Sequence, residues 1–108
     1  MKMLPYRATT RMGDTFEIEF PLHRDTGDPV RVWRLISEIL ESIDRSLAIR
    51  DTTSNGDVSQ AVAMAMAIRA RVVHTPPETS ARLAIDLLRT ALGATADAAR
   101  QMPPSGRA

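Results

Sequence analysis

The chain has 108 residues, 44% of them hydrophobic, and sets 14 basic residues against 13 acidic ones for a formal net charge of +1. That length suits one domain with a hydrophobic core, and the charge balance excludes a global field that would draw in nucleic acid or an anionic membrane. Cysteine is absent, which excludes a disulfide framework, zinc–thiolate sites and thiol catalysis.

Residues 1–13 carry basic side chains but no apolar run of signal-peptide type, and the longest unbroken apolar stretch, Ala61 to Ile68, is too short to cross a bilayer. The expectation is a cytoplasmic chain. Thirteen of the basic residues are Arg and only Lys2 is Lys. Scattered between acids, they read as a coding bias rather than an anion-recognition patch.

The first element is a β-hairpin. Phe16, Ile18, Phe20 and Leu22 alternate with Glu17, Glu19 and Pro21, the period-two pattern of a half-buried strand, and Tyr6, Ala8, Thr10 and Met12 form a weaker partner. A two-residue loop at Gly13-Asp14 would bury Arg7 and Arg11 beside the phenylalanines. A three-residue loop, Gly13-Asp14-Thr15, instead pairs Met12 with Phe16, Thr10 with Ile18, Ala8 with Phe20 and Tyr6 with Leu22, and sets Arg11 across from Glu17. Three-residue loops favour Gly at the last position, and a longer loop of the same parity keeps the same faces.

Residues 24–28 have turn composition, and Asp28 followed by Pro29 makes a strong helix start. Trp33, Ile36, Leu40, Ile43 and Leu47 then recur at spacings of three and four, with Val32, Leu35, Ile39 and Ile49 beside them. This double stripe predicts a long helix with more than one neighbour, a central spacer against which the hairpin lies. If Trp33 is core, its replacement by Ala costs about 3–5 kcal/mol. Arg31, Arg34, Glu38, Glu41 and Arg45 form the solvated side.

Asp51 to Gly56 is a turn, and Asp57 with Gln60 resembles a loose capping box that opens a second helix from Val58 to His74. Its middle, from Ala61 to Ile68, is apolar all round, which calls for burial on nearly all sides. Thr75, Pro76 and Glu78 predict the start of a third helix, with Gly93 a candidate early stop. Residues 102–108, rich in Pro, Ser and Gly, read as a disordered tail. The expected fold is α+β and mostly helical: a hairpin at about 4–12 and 15–22 on three helices at about 29–50, 58–74 and 76–100, within a single domain of residues 1–101.

No motif specifies a reaction. His23 and His74, the only histidines, lack metal-ligand or triad spacing; His23 falls on the polar face of the hairpin and His74 at the end of the second helix. Glu38, Glu41 and Asp44 sit beside Arg34 and Arg45 without the Glu-x-x-His motif of a ferritin-like metal site. Residues 54–57 precede a helix but carry no phosphate-loop pattern. Met64 and Met66 are of the kind that fills core gaps or lines an adaptable groove. No cofactor or metal is expected.

The reading is therefore a homodimer or higher homo-oligomer, non-enzymatic, acting as a regulatory or accessory protein through contacts with itself or another protein. Trp33, Leu40, Leu47, Met64, Ala67 and Arg71 are the candidate interface. One alternative is a DNA-binding regulator of ribbon-helix type using Lys2, Arg7 and Arg11, against which stand the outward Glu17 and Glu19 and the long first helix. Another is a small enzyme with a site at a subunit interface, using His23 with Asp25 or Glu19.

Overall fold

The computed structural model describes residues 2–50 and 52–102. The chain runs β1 (Met3–Thr9), β2 (Thr15–Pro21), α1 (Pro29–Ile49), α2 (Asn55–Val72), α3 (Pro77–Asp97) and β3 (Arg100–Gln101). It is an N-terminal antiparallel hairpin followed by three helices, an α+β arrangement that is mostly helical. Of the tail expected at 102–108, Met102 is exposed and the rest lies outside the described residues.

Packing divides the chain into two units, Met1–Arg34 with Arg89–Ala108, and Leu35–Leu88. The first holds the sheet, ordered β1-β2-β3 and antiparallel throughout. Leu4 faces Phe20, Tyr6 faces Ile18 and Ala8 faces Phe16, so the large apolar side chains share one face. Leu4, Tyr6 and Ile18 are the buried apolar residues among those described. On the other face Arg7 lies opposite Glu17 and pairs with it.

The expected parity is present but the expected register is not. The pairing is shifted by four residues, so Arg7 rather than Arg11 meets Glu17, Tyr6 meets Ile18 rather than Leu22, and Met12 is left exposed in the loop. Gly13 is the physical reason. It adopts φ 91°, a left-handed conformation open to Gly, at the last position of the loop Arg11-Met12-Gly13. The turn closes through Gly13 N to Thr10 O at 3.0 Å, and Thr10 N donates to Asp14 O at 2.8 Å. The loop has three residues as expected, placed two positions earlier.

A two-residue strand, β3, was not anticipated. It sets Arg100 opposite Phe16 and Gln101 opposite Thr15 on the free edge of β2. Arg100 Nη1 donates to Asp14 Oδ2 at 2.5 Å, and its guanidinium lies 4.9 Å from the Phe16 ring centroid. In the same unit Trp33, in the second turn of α1, lies with its ring centroid 5.8 Å from that of Tyr6 and the planes tilted by 53°.

Local chemistry sets the helix starts. Asp28 caps α1 through Oδ1, which accepts from Arg31 N at 3.2 Å, and Pro29 is the first helical residue. The second helix begins three residues earlier than expected. Ser54 rather than Asp57 is its cap, with Oγ accepting from Asp57 N at 3.1 Å. A hydroxyl that reaches the third helical N–H satisfies a donor that the helix cannot, and Asp57 then adds its charge to the positive end of the helix dipole.

This helix ends at Val72, so His74 lies two residues beyond it in the turn to α3 rather than in its last turn. There Thr75 Oγ1 and Ser80 Oγ are 2.5 Å apart, and Ser80 N donates to Pro76 O at 3.2 Å. Pro77, not Pro76, opens α3. Gly93 does not end it: a single interior Gly costs only about 0.5–1 kcal/mol against Ala, and α3 continues to Asp97.

Candidate interaction surface on the helical unit

The unit Leu35–Leu88 is built from most of α1, all of α2 and the first half of α3. Among its described residues only Ser80 is buried, and no apolar side chain is. The cover that the all-round apolar character of α2 calls for is thus not supplied within one copy of the chain. No residue of α1 is buried either. Apolar periodicity signals which side of a helix prefers to leave water, but one copy of this unit does not supply enough facing surface to cover three such helices.

Two apolar grooves flank the α2–α3 pair. One, of about 390 Å³, is lined on α2 by Ala63, Met66, Ala67, Ala70 and Arg71, and on α3 by Pro77, Ala81, Ala84, Ile85 and Leu88. The other, of about 430 Å³, lies against Met66, Arg69, Ala70 and Val73 on one side and Leu83, Ala84 and Leu87 on the other. Arg71 and Arg69 respectively are the charged groups along them. Thr75, Thr79 and Ser80 also line the second groove, and no His, Asp or Glu side chain lines either one.

The candidate interface residues fall in both units. Trp33 is 45% exposed and packs on Tyr6 within the sheet-bearing unit. Leu40, at 40% exposure, and the half-buried Leu47 are on α1 in the helical unit. Met64, Ala67 and Arg71 are all exposed on α2, and of these Ala67 and Arg71 border the first groove. The sequence reading did not single out the α3 wall, although Ala81, Ala84, Ile85 and Leu88 carry the three-and-four spacing.

Of the candidate nucleic-acid contacts, Lys2, Arg7 and Arg11 are exposed. Arg7 pairs with Glu17, so part of its charge is already answered within the sheet. The polar face of the hairpin also meets the C-terminal half of α3 in a cleft bordered by Glu17, Glu19 and Asp97. These carboxylates repel a phosphate backbone.

His23 is held by its own loop. Its Nδ1 accepts from Asp25 N at 3.1 Å, while Asp25 Oδ2 is 3.8 Å away. A carboxylate that oriented a catalytic imidazole would accept from Nδ1–H, and here Nδ1 is the acceptor. Glu38, Glu41 and Asp44 are exposed on α1. Among the described residues no group of three His, Asp or Glu side chains is placed to hold a metal ion, and no helix is long and apolar enough to cross a membrane.

The chain matches no protein-family model, and no curated protein or solved structure is significantly similar to it.

Proposed function

We propose that the chain is a small homo-oligomeric regulatory or accessory protein of the cytoplasm, acting through protein contacts and without catalysis. One observation carries the reading: the helical unit keeps no apolar side chain buried, while Leu35, Ile39, Met64, Ile68, Ile85 and Leu88 are each more than 40% exposed. Ordering a residue costs about 1–2 kcal/mol of backbone entropy, and helices of this length gain most of their stability from packing an apolar face. Apolar side chains left in water in such number mark a surface for protein contact. A second copy provides it without any further component.

Light scattering and melting over a concentration series test this. The expected result is a dimer or larger assembly at tens of micromolar. Its melting temperature should rise by roughly 3–5 °C for each tenfold increase in concentration, the shift that mass action gives a chain pair of this size. A monomer with a concentration-independent melting temperature overturns the proposal.

A further inference from the structure

We propose that two copies of the chain join through α2, each laid antiparallel on the other about a two-fold axis at Met64. This rests on the homo-oligomer reading above and names its surface. Asp57, Ala61, Met64, Ile68 and Arg71 follow one another at spacings of four, three, four and three, so they share one edge of α2 over about 21 Å. All five are exposed, with Met64 at 56% and Ile68 at 63%. At 3.6 residues per turn Asp57, Ala61, Met64 and Ile68 lie on the far side of α2 from Ala63, Met66 and Ala70, which line the grooves beside α3, while Arg71 closes the edge where it borders the first groove. The third helix therefore leaves the apolar part of the edge open.

Charge order identifies the occupant. Asp57 stands seven residues before Met64 and Arg71 seven after it, two helical turns in each direction. An antiparallel copy centred on Met64 brings Asp57 within a turn of the partner's Arg71 at one end and repeats the pair at the other. Met64 then meets its own copy on the axis, and Ala61 packs beside the partner's Ile68 on either side of it, between the two ion pairs. A parallel copy would instead set Asp57 on Asp57 and Arg71 on Arg71. The surface is complementary to itself in one orientation only, as an isologous interface requires. With a net charge of +1 on each copy, little long-range repulsion opposes the association.

Sedimentation equilibrium of the full chain tests the seam. Asp57→Arg and Arg71→Asp, each alone, set like charges at both ends and should weaken the dimer about tenfold. An equimolar mixture of the two variants places unlike charges at both ends again, and should dimerise as tightly as the wild type. Met64→Glu puts two carboxylates on the axis and should weaken association by about 100-fold or more. The mixture keeps the test valid even if one substitution lowers helix stability, because a folding defect is not repaired by mixing. A wild-type dimer with both single variants unweakened, or with no recovery on mixing, overturns the α2 seam and leaves the homo-oligomer reading standing. A wild-type monomer removes both.

Discussion

Arg100 and Asp14, 86 residues apart in sequence, are joined by a 2.5 Å hydrogen bond from Nη1 to Oδ2, with the Arg100 guanidinium stacked over Phe16. The Asp14 side chain is 11% exposed and that of Arg100 57%. The carboxylate has thus left water while its partner has not. This contact ties β3 to the start of β2 and fastens the end of α3 to the sheet.

Arg100→Ala should lower stability by about 1–2 kcal/mol, less than a fully buried pair would lose because solvent screens the exposed guanidinium. Asp14→Ala should cost a similar amount. In a double-mutant cycle followed by urea denaturation the two losses should overlap by about 0.5–1 kcal/mol. Strict additivity would mean that the pair contributes nothing as a pair.

Trp33 is the one tryptophan of the chain, and its contact with Tyr6 sets a smaller cost than a core position would. At 45% exposure it keeps roughly half of its burial term, so Trp33→Ala should cost about 2 kcal/mol, including an aromatic-pair contribution of about 0.5–1.5 kcal/mol. Trp33→Phe should cost under about 1 kcal/mol. Circular dichroism melts read both, and a loss of 4 kcal/mol for the Ala variant would show a fully packed indole.

The two candidate caps of α2 are separable by substitution. Ser54→Ala removes the acceptor of the Asp57 N–H and should cost about 1 kcal/mol of stability. Measured at concentrations where the chain is monomeric, Asp57→Ala removes a favourable charge at the helix start, about 0.3–1 kcal/mol, and that loss should shrink in high salt. If the Asp57 variant were the more damaging and salt left its cost unchanged, the cap assignment would be wrong.

Two glycines should respond to alanine with opposite signs. Gly93 lies within α3, and a methyl group there meets nothing within 4 Å, so Gly93→Ala should stabilise by about 0.4–1 kcal/mol. Gly13 has φ 91°, and Gly13→Ala should destabilise by about 1–2 kcal/mol. Thermal melts of the two variants shifting in the same direction would contradict this.

From the sequence alone, the order of elements, the Asp28-Pro29 helix start, the apolar sides of the helices and the parity of the hairpin could all be read. Each is carried by residues a few positions apart, within reach of a period of two or 3.6 or of one capping hydrogen bond. Parity survives any register shift by an even number of residues, and this is why the faces of the hairpin were legible while the partners of Glu17 and Ile18 were not. Those partners follow from the left-handed conformation of Gly13 at the last position of the loop, a single-residue signal that the preference of three-residue loops carries but the alternating pattern does not. Only tertiary structure decided β3, which has too few residues to show any period and exists through contacts of Arg100 made 86 positions away. The all-round apolar character of α2 was legible too. That Met66 and Ala70 turn toward α3 while Met64 and Ile68 stay open depends on which neighbour stands where, and a local pattern carries no record of that.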